Sequence, residues 1–303
     1  MKIRFYVLII LLIVFTMSCK KEEAEKASPP ESTTVQQPAA VKLTGSQLTE
    51  AKKVYEAWCS GCHGEKGRGD GPAAVVLEVK PRNFIKEPFK IRSTESGQPA
   101  TRKDIFETVT RGLPGTAMPS FNFLTEKERW LAADYVRKLA NLESSTEAAV
   151  IQLGSEPKAN IESIQRGKEV YAKMGCAQCH GPEGRGDGPS AATLKDSLGR
   201  LIPARDYTKG EYLGGDTAYA INMRFQAGVD GTPMPSYKGA ITDQQSWDLA
   251  HYVLSLRQPK PALAADRIAR GRALVREKQC SGCHVIEGQG GDVGPSLDIA
   301  AAK

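Results

Sequence analysis

Three five-residue groups hold most of the chemistry available to this sequence: Cys59-Ser60-Gly61-Cys62-His63, Cys176-Ala177-Gln178-Cys179-His180 and Cys280-Ser281-Gly282-Cys283-His284. Two thiols three positions apart lie on one turn of helix, and an imidazole follows immediately. Such a group can add to both vinyl groups of one porphyrin and offer its histidine to the iron, which is the pattern of covalent haem c attachment. A bare CxxC also suits zinc or thiol–disulfide exchange. Zinc would need further Cys or His ligands beside each pair, yet His251 is the one histidine outside the groups. Thiol exchange needs no histidine after the second cysteine and usually accompanies a βαβ pattern. Cys59, Cys62, Cys176, Cys179, Cys280 and Cys283 are therefore read as haem c thioether positions, with His63, His180 and His284 as axial ligands. Two sites are complete and a third is partial.

A six-coordinate iron needs a second axial ligand. Met118 follows His63 by 55 residues in RGLPGTAMPSF, and Met234 follows His180 by 54 residues in AGVDGTPMPSY. The matched setting, glycine before and Met-Pro after, makes these two the candidates. Met174 and Met223 sit in helical runs and read as core. His/Met ligation raises the reduction potential and saturates the iron, which suits electron transfer and discourages oxygen activation.

Among seven cysteines, Cys19 is left over. Lys2 and Arg4 precede an apolar run over residues 5–15. That run is too short for the roughly 20 residues a transmembrane helix needs, and it suits a secretory signal. Residues 1–18 are expected to be a signal peptide. Ser18 before Cys19 resembles a bacterial lipoprotein cleavage site, although Thr16 stands where leucine is usual. Lipidation at Cys19, an uncleaved anchor and ordinary cleavage all stay open. Each implies export to the periplasm, with attachment to a membrane expected.

Further elements must position the ligands. Residues 19–46, rich in charge, proline and small polar side chains, read as a disordered tether. Then comes a repeat of about a hundred residues, the size of a small domain. Each copy opens with a helix leading into its CxxCH group, with a small residue four before a larger one: Ala51 and Tyr55, Gly167 and Tyr171, Gly271 and Val275. The first two copies close with LTEKERWLAADYVRKL and ITDQQSWDLAHYVLSL. Both open on a capping box, Thr125 with Glu128 and Thr242 with Gln245. Helices crossing over a small-residue contact, without strand signals, give an all-α fold. The expected domains are 47–141 and 160–258, a linker at 142–159, a second at 259–266, and a partial third domain at 267–303.

The two complete repeats resemble class I cytochrome c domains in helix, haem motif, glycine- and proline-rich loop, axial methionine and closing helix. The resemblance implies that Pro72 and Pro189, in the GDGP segments, offer a carbonyl to the proximal histidine, with Pro295 doing so in the third repeat. Arg82 and Arg205 could pair with haem propionates or lie in solvent. His251 occupies the place of Asp134, which argues for an outward face.

The third repeat has 19 residues after His284, without a methionine or closing helix; it reads as cut short, or else as an open haem. Net charge is +6, but lysines and glutamates are interspersed and no nucleic-acid motif occurs, so a nucleic-acid partner is not expected. The expected function is single-electron transfer in a periplasmic respiratory chain, between a redox-protein donor and acceptor. The alternative is a haem enzyme acting on peroxide or a small sulfur or nitrogen compound at an open coordination site. A gas sensor is disfavoured, since no output domain follows.

Overall fold

The computed structural model describes residues 42–143, 148–259, 264–291 and 297. The signal peptide, Cys19, most of the tether and Pro295 lie outside the described residues. Among those described, the elements are helices and short turns, and no helix is long and apolar enough to cross a membrane.

In the first domain, α1 (Gly45–Trp58) runs into the one-turn α2 (Ser60–His63), followed by α3 (Arg102–Arg111) and α4 (Glu126–Leu139). The second domain repeats this order with α5 (Ile161–Lys173), α6 (Ala177–His180), α7 (Ala218–Ala227) and α8 (Asp243–Ser255). The first helix packs on the last in each, and the third helix packs beside the last. Both expected capping boxes form: Thr125 accepts from the Glu128 N–H, and Thr242 from that of Gln245.

The small-residue crossing exists because two backbones meet there. A Cβ on Gly167 would lie 2.0 Å from the Asp248 carbonyl oxygen in α8. Ala51 is fully buried at the matching place. One turn later, Tyr55 and Tyr135 bring their rings to 5.0 Å, and Tyr171 and Tyr252 to 5.3 Å. Gly167→Ala must push α5 off α8. The expected loss is about 1–3 kcal/mol, the usual cost of overpacking a tight contact, measurable by thermal melting of the haem-loaded chain.

Several expectations need correction. The tether does not extend to residue 46: Leu43 is buried in the first core, and α1 begins at Gly45. The stretch between the domains is more than a spacer. Ile151 is buried with Met223 and Ala227, and its N–H donates to the Ser93 carbonyl at 2.8 Å. His251 is buried, not outward; its Nδ1 lies 3.0 Å from Ser163 Oγ, and its Nε2 lies 4.0 Å from Glu156. Asp134 is likewise buried, with Arg102 Nη2 donating to it at 2.7 Å. A polar residue in the closing helix suggested solvent, but the N-terminal turn of a neighbouring helix covers that flank in both domains.

α7 carries a weak sequence signal. α7 is buried on nearly every side, at Ile221, Asn222, Met223, Phe225, Gln226 and Ala227, so it shows no apolar stripe. Met223 is core, as expected, and Met174 packs against the second core. In the third repeat, α9 (Ala265–Glu277) has no buried residue, and nothing lies within 4 Å of where a Gly271 Cβ would be.

Candidate haem sites

The first two CxxCH groups each sit on a single helical turn, α2 and α6, reached directly from the long helix before it. The Tyr55 hydroxyl donates to the Gly64 carbonyl at 2.7 Å, and the Tyr171 hydroxyl to that of Gly181 at 2.6 Å. These bonds tie the end of each motif to its first helix. Burial pushes the Cys59 thiol up to about 12 and the Cys176 thiol to about 11.

The proximal histidines are fixed by backbone carbonyls, though not those of Pro72 and Pro189. His63 Nδ1 lies 3.1 Å from the Arg82 carbonyl oxygen, and His180 Nδ1 lies 3.0 Å from that of Arg205. The GDGP segments fold back on the motifs instead, with Gly71 N–H donating to Cys62 and Gly188 N–H to Cys179. That places Pro72 and Pro189 behind the haem turn and gives the imidazole contact to the next loop. The physical role is unchanged: a carbonyl at Nδ1 selects the tautomer that presents the Nε2 lone pair to a metal.

Aromatic rings hold each imidazole from the side. Phe84 stacks on His63 at 4.6 Å and Phe89 on Phe84 at 5.9 Å; Tyr207 stacks on His180 at 4.6 Å and Tyr212 on Tyr207 at 6.1 Å. Sequence reasoning missed these stacks as site elements, though the recurring Arg-Asn-Phe and Arg-Asp-Tyr triplets were the signal. At the second site the Tyr207 hydroxyl also lies 3.1 Å from Nε2, a contact that iron ligation would displace. Burial lowers the pKa of both histidines, so each ring is neutral in the fold.

The methionine loops are near copies. α3 and α7 end at Gly112 and Gly228, both at positive φ, where a Cβ would lie 2.4 Å from Pro119 and 2.6 Å from Ser236 respectively. The chain then turns so that Leu113 N–H donates to the Met118 carbonyl at 3.0 Å, and Val229 N–H to that of Met234 at 3.1 Å. Thr116 and Thr232 hydroxyls accept from the methionine N–H groups.

Both sets converge on one cavity of about 930 Å³. Its walls include Cys59, Cys62, His63 and Met118 from one domain and Cys176, Cys179, His180 and Met234 from the other. Apolar side chains such as Val109, Phe121, Phe225 and Leu249 form much of the rest. No cluster of three or more His, Cys, Asp or Glu able to hold a bare metal ion occurs among the described residues. One imidazole, one thioether, two thiols and an apolar void suit haem c at each site. Arg82, Glu87, Lys90, Asp196, Arg200 and Arg205 line the seam between the sites, with Arg200 bonded to Glu87 across it. The third motif places Cys280–Gly282 on a 3₁₀ turn after α9, with His284 partly buried beside it.

Residues 164–257 match the family described as Cytochrome c, and residues 46–136 match Cytochrome C oxidase, cbb3-type, subunit III. The chain is 26% identical over 191 residues to the Cbb3-type cytochrome c oxidase subunit FixP of Sinorhizobium medicae, covering 57% of this chain and 61% of that protein. It thus spans under two thirds of that relative. A solved structure from a Kuenenia stuttgartiensis reducing HAO-like protein complex superposes with a TM-score of 0.67 at 37% identity, over 72% of this chain and 98% of that one. With matched family segments in both domains and a paired cysteine, histidine and methionine set in each, this chain belongs to the class I c-type cytochromes.

Proposed function

We propose that this protein is a multihaem electron carrier that passes single electrons between haems held side by side in its two complete domains. The observation that carries the reading is the shared cavity, which opens to both CxxCH turns and both methionines. Tunnelling falls off exponentially with the gap between redox groups, so haems filling one continuous void exchange electrons faster than haems walled off in separate domains. When bound, haem c supplies the one-electron couple. The chain's own part is to hold it by Cys59 and Cys62, and by Cys176 and Cys179, and to orient His63 and His180 through the Arg82 and Arg205 carbonyls. Met118 and Met234 would supply the remaining ligand to each haem. The protein thereby sets potential and access rather than transforming a substrate.

In this reading Cys280, Cys283 and His284 carry a third haem, and the protein works on the periplasmic side of a bacterial membrane, tethered through its N-terminal segment by lipid at Cys19 or by an anchor. The matched relative is a subunit of a cytochrome oxidase and the matched structure comes from a redox complex. A place as the cytochrome subunit of such an assembly, between a redox-protein donor and acceptor, fits both.

The test is the full chain matured with haem in a bacterial periplasm. The expected result is covalent haem at all three motifs, rapid reduction and reoxidation by small redox proteins, and no peroxide turnover at the methionine-bearing sites. Carbon monoxide binding at those two sites in the parent chain, with peroxide or hydroxylamine consumed there, would sink the carrier reading in favour of a haem enzyme.

A further inference from the structure

The methionine loop of the second domain is held by the first domain. Asp230, four residues before Met234, accepts three hydrogen bonds from the loop that follows the first haem turn: from Arg92 Nη2, Ser96 Oγ and Gly97 N–H, each at 2.8 Å. The same Arg92 nitrogen donates to the Ala227 carbonyl at 2.6 Å. Ala227 is the last residue of α7. Arg92 therefore stands at the C-terminal end of α7, where a cation meets unpaired carbonyls and the negative end of the helix dipole. One buried guanidinium spans the place where α7 ends and the methionine loop begins. α7 returns the contact, with Arg224 donating to the carbonyls of Arg92 and Lys90.

Among the described residues, the first domain's methionine loop receives no such clamp. Pro114 occupies the place of Asp230, and it receives one long bond, from Arg205 Nη1 at 3.4 Å to its carbonyl. A neutral carbonyl with one weak donor contrasts with a carboxylate holding three good ones; bonds to a charged group are roughly twice as strong as neutral ones. The bracing runs chiefly from the first domain to the second.

The geometry points to Arg92 and Asp230 as positioning residues for Met234, through which docking of the first domain holds the second haem's sixth ligand in place. Iron–thioether bonds are weak, so a ligand loop that loses its anchorage lets the methionine leave. Within the second domain the loop is held by Val229 N–H to the Met234 carbonyl, by Gly228 N–H to the Arg224 carbonyl and by Ser236 Oγ to the Gln226 carbonyl; Arg92 and Asp230 add a brace from the first domain where the loop leaves α7. This inference rests on the haem reading above, with Met234 as ligand.

The experiment uses the full haem-loaded chain carrying Asp230→Ala, with Ser96→Ala as a one-bond control and Asp230→Glu as the conservative variant. Haem per chain is counted first. The near-infrared absorption characteristic of methionine bound to ferric haem, carbon monoxide binding and thermal melting are then recorded. We expect unchanged haem content, loss of about half of the methionine–iron absorption, and one additional carbon monoxide-reactive haem per chain. Ser96→Ala should keep the parent spectrum, and Asp230→Glu should restore most of it. Full methionine absorption and no new carbon monoxide binding, with only a lowered melting temperature, would make Arg92–Asp230 a simple staple between domains and overturn the inference. If Asp230→Ala does not accumulate, Asp230→Asn and Arg92→Lys weaken the same contacts at similar volume and are read the same way. A parent chain without methionine–iron absorption would instead overturn the ligand assignment itself.

Discussion

A chain with Cys176→Ser and Cys179→Ser is expected to carry one haem fewer and to lose the fold of its second domain. The cysteines do not stabilise that domain by themselves; they retain the group that fills its centre. Both haem clefts merge into about 930 Å³ of largely apolar space. At about 24 cal/mol per Å³ of unfilled core, a quarter of that volume left empty costs ~6 kcal/mol. Such a loss equals the lower end of a whole domain's stability. Tyr171, Tyr207, Phe225, Leu249 and Val253 belong to the second core and line that cavity. Haem counting and a helical circular-dichroism melt check this together. A variant that lacks the haem yet melts at the parent temperature would show that the cavity closes on its own. The matching pair, Cys59→Ser with Cys62→Ser, should act on the first domain and also loosen the second, because Arg92 and Ser96 brace Asp230 across the seam.

The second large effect concerns the sixth ligand. Met234→Ala should make one further haem per chain reactive to carbon monoxide and lower its potential by on the order of 0.1 V or more, within the roughly 0.8 V that axial ligands command. Met118→Ala should do the same at the first site, and the double substitution should give both. A spectrum of Met234→Ala still inert to carbon monoxide would mean that another side chain takes the sixth position. The fold should survive, because Val229 N–H bonds to the Met234 backbone carbonyl and not to its side chain. Titration of the potentials and carbon monoxide difference spectra measure both effects on the same sample.

Local chemistry was legible without coordinates. CxxCH suits two thioethers and one imidazole on one turn, so six cysteines and three histidines stand out as candidate haem ligands from spacing alone. The matched Gly-x-x-Gly-Thr-x-Met-Pro setting marked Met118 and Met234 because a helix stop and a tight turn need particular residues at fixed offsets. Capping boxes at Thr125 and Thr242 and the small residues Ala51 and Gly167 were readable for the same reason: each expresses a contact within a few residues or a steric limit on one helix face.

What depends on residues distant in sequence was not legible. The carbonyls that fix the histidines come from Arg82 and Arg205, 19 and 25 positions away. Any backbone can offer a carbonyl, so no side chain announces the role. His251 and Asp134 read as outward because they are polar, yet neighbouring helices cover them. α7 left no stripe because it is enclosed by its own domain, the linker and the first domain at once. The joining of two haem clefts into one cavity, and the grip of Arg92 on Asp230 across 138 positions, arise from how the domains pack. Which groups the chain suits, and the helices and turns each repeat needs, follow from short-range requirements of geometry and valence that leave local residue patterns. How the two sites face each other, and which side chains of one domain reach the other, follow from docking surfaces whose residues carry no local pattern.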